Sequence, residues 1–178
     1  MEKLILQVPS FAELGYRQTL LADPATMSYN AGCGLTAAGY DDATGTIDFA
    51  PAAWRGWYDR WVGCSDRYYA YARRPDGVPV GEVDLRSAAG AGWYEMGVVI
   101  QASWRGRGYG GQALGLLMHQ AFDVMKVPAV HNCFQAERQA ALAIHRAVGF
   151  TVTGPDPAGM VWLTLTAADY RAAQDRRG

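Results

Sequence analysis

The residues with the plainest chemical meaning stand together as Arg105-Gly-Arg-Gly-Tyr-Gly-Gly111, between an apolar run ending at Ile100 and an amphipathic run that begins after Gly110. Glycines let successive backbone N–H groups converge on an anion without obstruction by Cβ, and a helix starting behind them adds the positive end of its dipole. The chemistry of such a turn is capture of a pyrophosphate. Gly106, Gly108, Gly110 and Gly111 open the backbone from Arg105 through Tyr109 to Gly111, and Arg105 and Arg107 can add charge-assisted contacts. Gly106-x-Gly108-x-x-Gly111 matches the dinucleotide fingerprint in form. That fingerprint also needs a strand running straight into the first glycine, an acidic residue roughly 20 positions on and a doubly wound parallel sheet. Polar Gln101 to Arg105 intervenes here, and counting on from Gly111 lands near His131. A triphosphate P-loop is excluded because no Gly-Lys-Ser/Thr follows, and a protein kinase because neither His-Arg-Asp nor Asp-Phe-Gly occurs.

A turn of this kind is only as good as the elements on either side of it. Lys3 to Val8 alternates as a strand, and Pro9-Ser10 starts a helix carrying Leu14, Leu20 and Leu21. Gly32, Gly34, Gly39 and Gly45 break Asp23 to Asp48 into loops, an exposed region of the sort that carries binding groups. Pro51 opens a helix in which Trp54, Trp57, Tyr58 and Trp61 fall at i, i+3, i+4 and i+7, a stripe whose spacing predicts a core face. Arg67 to Arg73, a turn at Pro75-Asp-Gly77 and Val80 to Arg86 form a hairpin, and Trp93 to Ile100 extends it into an antiparallel meander. Leu114, Leu117, Met118, Ala121, Phe122 and Met125 then mark a long helix closed by Pro128. Val130 to Phe134 is a strand, Gln139 to Val148 a helix stopped by Gly149, and Thr151 to Thr153 and Met160 to Leu165 are the last strands. The crossover from the Trp93 strand to the Val130 strand is a βαβ unit, so these two are parallel in a sheet otherwise mostly antiparallel. The fold class is α/β with a mixed sheet and flanking helices, and Arg171 to Gly178 reads as a solvated tail.

Composition bounds the rest. With 16 basic and 17 acidic side chains in 178 residues the net charge is −1, which excludes electrostatic capture of nucleic acid as the default. Apolar residues at 50% and charged residues at 19% supply one core, so residues 1–178 are expected to form a single domain needing neither disulfide nor metal. Cys33, Cys64 and Cys133 are an odd, scattered set without Cys-x-x-Cys, which fits a reduced cytoplasmic compartment and no zinc site. The start is too soon interrupted by Pro9 for a signal peptide, and no apolar run is long enough to span a membrane.

Arg105-Gly-Arg-Gly-Tyr-Gly110 resembles the Gln/Arg-x-x-Gly-x-Gly/Ala acyl-CoA loop of the GNAT superfamily of N-acetyltransferases. Its setting is similar too, from the strand before it to Ala141-Leu-Ala-Ile-His-Arg-Ala-Val-Gly-Phe150, like the family's helix ending in Gly-Phe. The resemblance is specific from about Val80 to Phe150. It implies a GNAT-like fold with acetyl-CoA, as acyl-donor substrate, bound in a splay between the Trp93–Ile100 and Val130–Phe134 strands. Main-chain groups of Val98, Val99 and Ile100, on a bulged strand, would then meet the pantetheine arm and the oxyanion. Arg138 stands where many members carry an asparagine that contacts CoA, and Ala102 replaces a frequent proline.

Acyl transfer from a thioester to an amine asks for a base, because a lysine-like amine has a pKa near about 10.4 and its deprotonation at neutrality costs roughly 4 to 5 kcal/mol. Glu95, on the strand bordering the thioester, is the first candidate, with Glu82 and Asp84 on the neighbouring strand as the others. The leaving thiolate, near about pKa 8.5, can be helped by an acid without requiring one. His145 occupies the position of the family's general-acid tyrosine, and His119 and His131 read as structural. The expected acceptor is a primary amine of a small molecule or peptide near Tyr29, Asn30, Tyr40, Trp54 and Tyr58. A noncatalytic CoA-binding module that lost the acid tyrosine is the alternative, and a homodimer is left open.

Overall fold

The structure, a computed structural model, describes residues 2–175. The period-two runs become seven strands of one mixed sheet: β1 (Ile5–Gln7), β2 (Arg67–Arg73), β3 (Pro79–Ser87), β4 (Tyr94–Ile100), β5 (Ala129–Gln135), β6 (Thr151–Thr153) and β7 (Met160–Thr166), in the order β1-β2-β3-β4-β5-β7-β6. The period-3.6 runs become α1 (Leu14–Ala22), α3 (Pro51–Trp61), α4 (Tyr109–His119, continued by a π turn over Gln120–Val124) and α5 (Gln139–Val148). Two helices were not foreseen. The short α2 (Pro24–Met27), capped by Asp23, sits in the glycine-broken region, and α6 (Ala167–Asp175) replaces the expected tail from Arg171. α6 is pinned by buried Tyr170, stacked 4.8 Å from Phe122 and donating its hydroxyl to Asp123. Residues 176–178 of that expected tail lie outside the described residues.

The alternation of the strands sorts side chains onto two faces. Ala70, Val83, Leu85, Met96 and Ile100 pack under α4 and α5 with Leu114, Leu117 and Leu163. Tyr69 and Tyr71 point the other way, into an aromatic layer with Leu14, Phe49 and Trp57 beneath α1 and α3. The tryptophan stripe is therefore the core face its spacing predicted.

The site is set by one irregularity. β4 and β5 are parallel neighbours, yet they pair only at Tyr94–Val130 and Glu95–His131, and beyond those residues they diverge into a fork. β3 and β4 stay in unbroken register from Gly81–Ile100 to Ser87–Tyr94, so β4 carries no bulge; the register shift lies between Ala72 and Arg73 on β2. Parity follows from one bond. The Gln101 N–H donates to the Val80 carbonyl (3.0 Å), which by antiparallel alternation turns the main-chain groups of Gly97 and Val99 toward β3 and those of Met96, Val98 and Ile100 into the fork.

Candidate active site

The fork opens into a cavity of about 670 Å³ that runs from the glycine turn to Asn132 on β5. At its mouth Gly108 is the N-cap of α4 with φ +78°, a conformation that favours glycine, and no side chain caps the helix. The first-turn amides, which no helix can satisfy internally, are left for an external acceptor. Arg107 lies with its guanidinium 4.8 Å from the Trp104 ring. Arg105 is occupied elsewhere: its Nε donates to Ile100 O (3.1 Å), Nη1 to Ala25 O (3.1 Å) and Nη2 to Thr26 O (2.6 Å). Its side chain thus bolts the turn to α2, and its expected role as an anion-contacting guanidinium gives way to that clamp. Arg138 rests over the rings of Tyr29 (4.6 Å) and Phe134 (5.1 Å) and has no carboxylate partner among the described residues. Val98 and Ile100 present their main chain to the cavity, whereas Val99 turns its main chain to β3 and packs its side chain on the aromatic layer.

The three carboxylates differ in what already holds them. Glu95 is exposed and takes two bonds from Arg86 (3.0 and 2.7 Å), the residue opposite it on β3. Glu82 is buried, ion-paired to Arg17, and accepts the Tyr69 hydroxyl (2.5 Å), while Arg17 itself lies 4.4 Å from the Trp57 ring. Both Glu82 carboxylate oxygens are therefore already engaged by protein groups. Asp84 lines the cavity facing Gly97, and no ion pair or hydrogen bond to its carboxylate is found among the described residues. Burial, and then the neighbouring Glu82 charge, push it up to about 6. Gly97 makes this arrangement possible, since a Cβ there would overlap Asp84 Oδ2.

His145 is buried on α5, and both ring nitrogens are engaged. Nδ1 lies 2.8 Å from the Ala141 carbonyl, which can only accept, so Nδ1 carries the proton. Nε2 is left to accept from the Asn132 side-chain amide (3.1 Å), and Asn132 Oδ1 accepts the Cys133 N–H. Burial lowers the imidazole pKa, keeping the ring neutral. In this tautomer His145 orients Asn132 at the fork and has no free proton to give.

Of the expected acceptor residues, Tyr29 and Asn30 line the cavity. Tyr40 instead ties the loop, donating to Asn30 O (2.5 Å) while accepting the Cys33 N–H (3.2 Å). Trp54 donates to Phe49 O (2.9 Å) and Tyr58 to Pro9 O (3.1 Å), both inside the aromatic layer rather than on the cavity. Sequence reasoning missed Arg17 and Asn132; the register of β4 with β5 was the signal for Asn132, and it is visible only in three dimensions. A second cavity of about 540 Å³ lies over the closed end of the fork, lined by Trp93, Glu95, His131 and Trp162, and it shares Arg86, Met96, Asn132 and Cys133 with the first. The three cysteines are free, no group of three or more metal-ligating side chains occurs among the described residues, and no described helix is long and apolar enough to cross a membrane.

Comparison with known proteins agrees with this geometry. The family model described as acetyltransferase (GNAT) domain matches residues 4–151. An acetyltransferase of the GNAT family from Bacillus anthracis is similar in fold at 16% identity and TM-score 0.70, over 94% of this chain and 96% of that one. The spermidine N-acetyltransferase from Vibrio cholerae in complex with CoA and spermine is similar at 12% identity and TM-score 0.75, over 95% and 98%. FdhC, a nucleotide-linked sugar GNAT, is similar at 15% identity and TM-score 0.69, over 99% and 93%. No curated protein matches the sequence.

Proposed function

The chain belongs to the GNAT acetyltransferases, and on that premise we propose that it transfers the acetyl group of acetyl-CoA to a primary amine by direct attack within a ternary complex. The observation that carries the proposal is the fork itself, with unbonded main chain along β4, an uncapped amide turn at its mouth and an unpaired carboxylate at its closed end. In this reading the amides from Gly106 to Gly111 hold the diphosphate, Arg138 meets a phosphate, and the main chain of Val98 and Ile100 pairs with the pantetheine arm. The thioester carbonyl then lies by Gly97, where the Val98 N–H is placed to receive the developing oxyanion.

Asp84 takes the ammonium proton as the nitrogen attacks the carbonyl carbon. With a pKa near 6 it is mostly ionised at neutral pH and more basic than an ordinary carboxylate. The C–S bond breaks and sulfur leaves as a thiolate, which at about pKa 8.5 needs little assistance, and the second proton of the attacking nitrogen passes to that thiolate, leaving the amide and free CoA thiol. His145 acts through Asn132 as a positioning residue. Glu82 and Arg17 form the fixed wall behind Asp84, and Glu95 stands with Arg86 at the edge of the site. We assign residues 1–178 to one domain working in the cytoplasm, where three unpaired thiols are stable.

Thermal shift with CoA and thiol release from acetyl-CoA over a panel of primary amines test the proposal together. The expected result is stabilisation, about 2.7 kcal/mol at a hundredfold excess over Kd, with amine-dependent thiol release. No stabilisation at millimolar CoA overturns the donor site. Binding without release across the whole panel makes the chain a noncatalytic CoA-binding module.

A further inference from the structure

Half of one sheet face is uncovered. α1 and α3 shield β2 and β3, but on the same side of β5 and β7 the row Glu95–His131–Thr164 and, one step on, the pair Cys133–Trp162 lie open beneath the second cavity. Two large rings stand there, Trp93 at 37% and Trp162 at 52% exposure, among few large apolar side chains so displayed. Neither is adrift. Trp93 lies 4.6 Å from the His131 ring at 32°, and the Trp162 indole N–H donates to Asp156 Oδ2 (3.3 Å). Held aromatic surface left in contact with water is surface prepared for a ligand.

The charges beside it limit what that ligand is. Glu95 is neutralised by Arg86, and Asp156 already accepts from Trp162 and from the Ala158 and Met160 amides. Glu82 is spent on Arg17, and partial burial lowers the His131 pKa, disfavouring its charged form. Of these carboxylates Asp84 is the one with neither an ion pair nor a hydrogen bond among the described residues, one register row from the groove and facing Gly97. A chain of several ammonium groups would find one unengaged carboxylate. We infer that the acceptor is a monoamine carried on a flat aromatic body, an arylalkylamine whose ring lies against Trp93 and Trp162 while its single amino group points toward Asp84 past the residues that line both cavities. This rests on the acetyl-transfer reading for its consequence and on the groove for its geometry.

The experiment measures binding and turnover side by side for 2-phenylethylamine, n-butylamine and spermidine, by calorimetry on the CoA-loaded protein and by thiol release from acetyl-CoA. The aryl amine is expected to exceed butylamine in kcat/KM by about tenfold or more. W93A and W162A should each raise its KM about tenfold with kcat nearly unchanged, leave butylamine unaffected, and be matched by retention in W162F. Preference for spermidine, or an aryl preference that survives both alanine variants, overturns the inference and leaves acetyl transfer standing. Aryl amine bound and lost in W162A without thiol release supports the groove and overturns acetyl transfer. No binding of any amine overturns the inference. A dimer seen by light scattering that dissociates in W162A also overturns it, by giving this face to a second copy of the chain.

Discussion

Asp84 and Gly97 face each other across β3 and β4, and the carboxylate occupies the space that a side chain at position 97 would need. Gly97→Ala therefore has to move either the carboxylate or the strand. The expected result is a fall in kcat of about 10²-fold or more with a smaller change in KM for acetyl-CoA, because the donor contacts the main chain while the base is displaced. Steady-state kinetics with varied acetyl-CoA check this, and an unchanged kcat would remove Asp84 from the reaction.

Asp84 also predicts a pH dependence. Its pKa rises from 3.8 to about 6 on folding, so kcat/KM should climb with pH through an apparent pKa near 6 and lose that limb in Asp84→Asn. The stability effect has the opposite sense. The folded form binds this proton more tightly than the unfolded chain, so this group's contribution falls as pH rises from about 4 to about 6, at a cost of about 3 kcal/mol above that range. Asp84→Asn should thus raise Tm by several degrees at pH 7 to 8 while lowering activity, a pairing that calorimetry and kinetics on the same preparation would reveal.

His145 divides two accounts of the leaving group. With Nδ1–H on the Ala141 carbonyl and Nε2 on Asn132, His145→Gln should lower kcat by no more than about tenfold and leave any alkaline limb of the kcat profile in place. Loss of that limb in the variant would restore the imidazole as the acid.

At the mouth, Gly108→Val should weaken CoA binding in calorimetry, since it puts a β-branched residue at φ +78° and a side chain among the amides. Unchanged affinity would show that the turn does not hold the diphosphate.

Much of this was legible in the residues, and the failures have definite causes. Gln139 to Val148 was read to the residue because its apolar stripe ends at a glycine that adopts φ +117°. α6 was missed because Tyr170 is its one buried side chain, too little for a period to show. The sequence placed Glu82 and Asp84 on the strand next to Glu95, but only the register reveals that Arg86 stands opposite Glu95 and that Gly97 makes room for Asp84. Composition could not separate Trp54, which packs inward, from Trp162, which does not, because exposure depends on which helices cover which half of the sheet. Arg105 looked like an anion ligand for the same reason: its three carbonyl partners come from residues far apart in the chain or across the turn.

The fork is joined by two residue pairs, so hydrogen bonding does not fix how wide it stands. Its gauge is kept by α4 lying on α5, where Ile144 Cδ1 would sit 3.4 Å from a Cβ placed on Gly110. A single methyl at that seam acts as a shim between the two halves of the sheet. The spacing between the two halves of the sheet is therefore written in the bulk of a few side chains where α4 meets α5, and not in the hydrogen bonds of the strands.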